Sequence, residues 1–253
     1  MAQSPQTISR AGEARGVRLR LLPNFELSNH GRRLRLPVTA QRLLVFLAVK
    51  ERPQHRWAVA TRLWADLTDD RSGAALRTTL WQVRRAAPAM IACADSHLRL
   101  SPSVEVDLHE SVRRTRQLGT DLQVHDGLLD FLSHDLLPDS LDEWVVVERE
   151  RYRQFRLHAL EKLCQRFTEA GEHASAIEAG LRAVAADPLR ESAQRVLIEA
   201  HIEEGNLSEA VRQYRTYARL LQVELGVEPT TLLTSLLPVA AQTRGVNVNV
   251  MHR

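Results

Sequence analysis

Within nine positions the chain carries Arg77, Thr78, Trp81, Gln82, Arg84 and Arg85. These are two kinds of hydrogen-bonding group, three guanidinium forks and one indole. At helical periodicity, 77, 81 and 84 fall on one stripe and 78, 82 and 85 on the next, while Leu76, Leu80, Val83 and Ala87 fall on the other side. A guanidinium fork matches the N7/O6 edge of guanine or a phosphate, and hydroxyls reach phosphates. One buried face backed by such a polar face is what a DNA-reading helix requires. A solvated basic helix shows the same pattern, so the surrounding elements must decide between the two.

Other chemistry is poorly served. There is no G-x-x-x-x-G-K-[ST] loop and no G-x-G-x-x-G. His109-Glu110 lacks the second histidine of a zinc-protease helix, and Cys93 and His97 have metal-ligand spacing without a second pair. Asp69-Asp70 falls in an expected exposed loop rather than a pocket. No catalysis, cofactor or metal is expected.

The elements that would position the polar helix follow from pattern. Val17 to Leu21 alternates apolar and basic residues, Arg33 to Leu36 alternates again, and Asn29-His30-Gly31 between them signals a turn, so a small antiparallel sheet is predicted. Thr39 offers a hydroxyl N-cap to a first helix over Gln41–Lys50, which Pro53 closes. Trp57–Trp64 forms a second helix and Gly73–Ala87 the third, stopped by Pro88. Trp57 and Trp64, at the ends of their helix, are expected in the core. Three strands follow: 90–93, 98–100 after an Asp95-Ser-His97 turn, and 104–106. Sheet, three helices and hairpin is the order of a winged helix-turn-helix, in which the third helix enters the major groove and the hairpin lies over phosphates or the minor groove.

Beyond Asp107 the pattern is helical: 108–122, then 144–170 as one long helix or a broken pair, then approximately 175–186, 191–204 and 208–225. Glu169-Ala-Gly171-Glu172 recurs as Glu203-Glu-Gly205-Asn206, and Ala176 as Ala210, each 34 residues on. That is the tetratricopeptide period, in which each helical hairpin covers its neighbour's apolar face. The fold class is therefore mainly α with a small β component: residues 1–16 a disordered tail, 17–106 the winged helix, 107–242 an all-α tetratricopeptide-like domain, 243–253 a flexible tail.

Composition agrees with a division of labour. Residues 1–106 hold 17 basic against 8 acidic residues, the remainder 17 against 23. A basic front suits a polyanion and an acidic back suits protein. All basic residues but Lys50 and Lys162 are arginine. Two cysteines far apart give no disulfide framework, the N-terminus has no apolar signal stretch, and the longest apolar run, Leu43 to Val49, is too short to span a bilayer. A cytoplasmic, nucleoid-associated protein is expected.

The motifs in series resemble the Streptomyces antibiotic regulatory protein family, in its small form. They are Gln41-Arg-Leu-Leu44, Leu63-Trp64, Leu76-Arg77-Thr78-Thr79-Leu80-Trp81 and Arg84-Arg85 in front. Behind come Leu137-Pro138-Asp139, Glu143-Trp144, Glu148 to Tyr152, Ala186 to Glu191, Glu204-Gly-Asn206 and Glu224 to Pro229. The resemblance covers about 17–229. It implies a response-regulator-type winged helix joined to a bacterial transcriptional activation domain. It implies an activator of a secondary-metabolite (antibiotic) gene cluster that binds direct repeats in double-stranded promoter DNA near the −35 region. RNA polymerase holoenzyme would be recruited through sigma and alpha subunits, with a homodimer on DNA.

The DNA contacts expected on this reading are Arg77, Thr78, Trp81, Gln82, Arg84 and Arg85, with Arg77 or Arg84 the base reader. Trp81 either packs on the wing or faces out to a sugar or thymine methyl. Thr39 and Arg42, at the start of the first helix, suit a phosphate. His97 and Arg99 lie on the wing, where a plain solvated hairpin is equally open. Asp66, Asp69 and Asp70 form an acidic loop that either meets polymerase or has no partner. A helical adaptor without specific DNA binding, and a repressor using the same contacts, are the alternatives.

Overall fold

The structure is a computed structural model, and it describes residues 16–117 and 127–238. All but Gly16 of the tail expected over 1–16, the tail expected over 243–253, and the end of the helix expected over 108–122 lie outside the described residues. By contact the chain forms two compact units. Residues 107–114 and 134–149 stand with the front sheets and helices; 115–117, 127–133 and 150–238 belong to the second unit.

In the first unit, β1 (Val17–Arg20), β2 (Glu26–Asn29) and β3 (Arg32–Leu34) form the antiparallel sheet expected, and β2 supplies a strand whose residues carry no clear alternation. Leu19 and Leu27 face each other in register and are buried, while Arg18 and Arg20 project outward. The fourth strand corrects the sequence expectation. Val104–Val106 (β7) is no third wing strand; it pairs parallel with β1, Val17 opposite Val104 and Leu19 opposite Val106. Its period-2 pattern, with Val104 and Val106 buried around exposed Glu105, fits either sheet. Only the partner, more than eighty residues upstream, decides. The Arg18–Glu105 ion pair at 3.0 Å lies across this edge.

Helix α1 (Val38–Lys50) buries Ala40 and all of Leu43 to Ala48, so it is nearly surrounded. It begins after Pro37, and Thr39 lies inside its first turn with no side-chain cap, contrary to expectation. Proline fits there because it fixes φ just ahead of the helix. β4 (Gln54–His55) precedes α2 (Arg56–Leu63), and α3 spans Asp69–Ala86. β5 (Ile91–Ala94) and β6 (His97–Leu100) form the hairpin on an Asp95-Ser96 turn with Asp95 at φ +51°, and β4 adds to β6.

Two later segments buttress this unit. Asp107 opens α4 (Asp107–Gln117), and its carboxylate accepts from the backbone N–H groups of Leu21, Leu22 and Leu108 at 2.8–3.0 Å. Burial pushes its pKa up from the usual carboxylate value, against the pull of those three donors. Over 134–149, Leu136, Leu137, Trp144 and Val145 are buried, and Trp144 meets Phe46 of α1 edge-on with centroids 5.3 Å apart. Arg149 donates to the carbonyls of Leu136, Leu137 and Ser140.

The second unit holds α5 (Leu128–Leu132), α6 (Glu143–Glu169) from Glu150 onward, α7 (His173–Ala186), α8 (Glu191–Glu203), α9 (Leu207–Glu224) and α10 (Thr231–Thr234). The sequence leaves 144–170 open between one helix and a broken pair; it is one helix. The repeat is physical. Gly171 and Gly205 both turn at positive φ, +74° and +84°, and Ala176 and Ala210 are both fully buried. Glu161, mostly buried on α6, accepts from Arg190 at 2.6 Å and from Ser192 at 2.7 Å, tying α6 to the start of α8.

Candidate nucleic-acid interface

Helix α3 separates two chemistries along its length. Leu76, Thr79, Leu80 and Val83 are at most 3% exposed. Arg77, Thr78, Trp81, Arg84 and Arg85 are all exposed on the other side. α2, buried through Val59, Ala60 and Leu63, packs against α3 as the first half of a helix-turn-helix. His55 caps α2 by accepting from the Trp57 N–H at 3.2 Å.

The exposed side is preorganised in part. The Arg85 guanidinium lies over the Trp81 ring, 5.4 Å from its centroid, and Trp81 is 59% exposed. Trp81 therefore faces out, not against the wing. Arg84 reaches the wing instead: its Nη2 donates to Cys93 Sγ on β5 at 3.2 Å. No sequence signal pairs those two residues; only the hairpin's position beside α3 does. The Thr78 hydroxyl donates to its own helix at the Ala74 carbonyl, 3.2 Å away, which leaves its lone pairs as acceptors. Arg77 has no hydrogen bond or ion pair among the described residues. Gln82 is half-buried, and its Oε1 is buried with no hydrogen-bond partner among the described residues.

The remaining expected contacts scatter. His97 and Arg99 are exposed on β6, and the His97 ring meets His55 edge-on at 5.3 Å. Thr39 is exposed. Arg42 is committed elsewhere: its Nε and Nη2 donate to both oxygens of Asp142, at 2.9 and 2.6 Å. A phosphate at α1 would have to displace that bidentate pair. The acidic loop is shorter than expected. Asp66 lies in it, but Asp69 and Asp70 form the first turn of α3, where negative charge complements the helix dipole. Trp57 also departs from expectation, being 61% exposed rather than core, whereas Trp64 is half-buried. At an amphipathic helix's end, one residue of displacement moves a side chain by about 100° around the axis.

Among the described residues no group of His, Cys, Asp or Glu could hold a metal ion, and no helix is long and apolar enough to cross a membrane.

Residues 109–237, just over half the chain, match the bacterial transcriptional activator domain. The chain belongs to that family. This is the back half of the resemblance drawn from the sequence, and the resemblance to Streptomyces antibiotic regulatory proteins stands. This family member is 27% identical over 186 residues to the regulatory protein AfsR of Streptomyces coelicolor, covering 69% of this chain and 19% of that protein. It is 36% identical over 89 residues to AfsR of Streptomyces griseus, covering 35% of this chain and 9% of that one. The chain thus spans less than a fifth of the relatives it matches. Its fold is similar to that of Mycobacterium tuberculosis EmbR, solved with a low-affinity phosphopeptide. The TM-score is 0.71 at 19% identity, over 92% of this chain and 69% of that one.

Proposed function

We propose that this family member is a sequence-specific DNA-binding activator that reads promoter DNA with α3. Direct repeats near the −35 region, two copies on DNA, recruitment of RNA polymerase holoenzyme and control of a secondary-metabolite gene cluster complete the proposal. The observation that carries it is the two-sided α3. Its apolar side is sealed in a sheet, three-helix and hairpin unit, and its outer side offers Arg77, Thr78, Trp81, Arg84 and Arg85 together. A merely solvated helix needs neither an exposed indole with a guanidinium stacked on it nor an arginine anchored to the hairpin. Activation requires only a second contact surface. Each ~1.4 kcal/mol of contact with polymerase raises promoter occupancy about tenfold while sites are unsaturated.

The test is a titration on promoter DNA from the protein's gene neighbourhood at several salt concentrations, with Arg77→Ala/Arg84→Ala beside the wild type. The expected outcome is saturable binding, preference over scrambled DNA and a steep negative salt slope. The double variant should bind about 100-fold more weakly, at ~1–3 kcal/mol for each base-reading arginine. Binding that ignores sequence or survives the double change favours a helical adaptor. Transcription with purified polymerase separates activator from repressor by sign.

A further inference from the structure

We infer that Trp81 is a specificity-determining residue that selects thymine by packing its indole on the 5-methyl group. The inference rests on α3 being the DNA-reading helix.

Trp81 is not part of the buried core. It stands on the outer side of a helix whose other side is the core, and 59% of it is open to solvent. In a chain with only four tryptophans, that leaves more than half of a large apolar side chain open to solvent. Arg85, stacked at 5.4 Å, restrains the ring without enclosing it. Position 81 is also the middle of its stripe, one turn from Arg77 on one side and near Arg84 on the other. The arginines flank it with donors suited to guanine. The indole itself is apolar apart from a single N–H. In the major groove the C5-methyl of thymine is the one protruding apolar group among edges that otherwise offer hydrogen-bond donors and acceptors. An apolar plate set between two guanidinium forks therefore fits a thymine among guanines. A sugar or phosphate contact by the same ring would carry no base preference.

The test uses the full chain and the promoter segment that it protects in a footprint. Each thymine is replaced in turn by deoxyuridine, which removes the methyl and keeps every hydrogen-bonding atom. At one position per half-site, the replacement should weaken wild-type binding about three- to tenfold, the scale of one buried methyl contact. Trp81→Ala should bind the unmodified segment more weakly by a similar factor and be indifferent to that same replacement. Arg77→Ala should keep the sensitivity. If Trp81→Ala loses the same factor on the deoxyuridine segment as on the thymine one, or if no replacement matters to the wild type, the thymine assignment is overturned while specific binding stands. If the wild type does not prefer the promoter to scrambled DNA, the DNA-reading role of α3 falls and this assignment with it. Thermal unfolding of Trp81→Ala, expected to match the wild type, shows that the ring acts on DNA and not on the fold.

Discussion

Arg153 and Glu150 show how much a single pair can set locally. The Arg153 guanidinium donates to both Glu150 oxygens, at 2.9 and 3.0 Å, and Gln154 adds a third donor at 2.9 Å. These bonds, Arg153 first, lower the Glu150 carboxyl from its ordinary value to about 2. The pair's stabilisation is thus complete above the unfolded-state value, ~4.3. It is lost as pH falls through about 2, because below that both states carry the proton. A carboxyl-resolved NMR titration should place the Glu150 midpoint near 2, and in Arg153→Ala it should rise toward ~4.3, held below it by the remaining Gln154 bond. Both residues stand in the second unit, so promoter binding through α3 is expected to be insensitive to the change. Cys164 makes the opposite case. Burial, with Glu199 nearby, pushes its thiol up to about 12, and Sγ donates to the Val196 carbonyl at 3.4 Å, so it acts as a small core side chain.

At the scale of elements, close approach decides the helical unit. Gly180 on α7 faces α8 and α6 so tightly that a Cβ there would meet Leu197 Cδ1 at 3.0 Å, Leu197 Cβ at 3.1 Å and Cys164 Sγ at 3.2 Å. Ala176, Ala179 and Ala183 continue this small-residue side, all fully buried. Gly180→Val should therefore destabilise the protein by about 3 kcal/mol, the upper range for overpacking, despite valine's better helix propensity. Equilibrium denaturation checks this; a change within about 0.5 kcal/mol would mean that the helices part easily. Gly171 and Gly205 act differently, through positive φ with nothing near their open side. They set the turns of the repeat rather than its packing.

At the scale of the molecule, if α3 reads promoter DNA as proposed, the winged-helix unit and the activator domain must give separable phenotypes. Asp66 is exposed in the α2–α3 loop, outside the helix dipole that accounts for Asp69 and Asp70. If that loop meets polymerase, Asp66→Ala should leave promoter affinity unchanged and reduce transcription in a purified system several-fold. Equal transcription at equal occupancy would assign polymerase contact to the helical domain alone. Asp69→Ala and Asp70→Ala are poorer probes, because each also removes a favourable first-turn charge, ~0.3–1 kcal/mol.

Local pattern determined much of this protein. The two-sided α3 was legible because Leu76, Leu80 and Val83 recur at helical spacing opposite the arginines. The 34-residue repeat was legible because glycine turns and buried alanines recur as types. The family followed from motifs in order. Tertiary structure alone decided the rest. Val104–Val106 carries the alternation of any strand, and a parallel partner at the far end of the unit assigned its sheet. Arg42 bears the same guanidinium as Arg77, but Asp142, a hundred residues away, holds it in a bidentate pair while Arg77 stays open. Trp57, at a helix end, is expected in the core, and only the packing of neighbouring elements leaves its ring outside. Period and residue type are properties of a segment, whereas burial and pairing are properties of what the rest of the chain brings beside it.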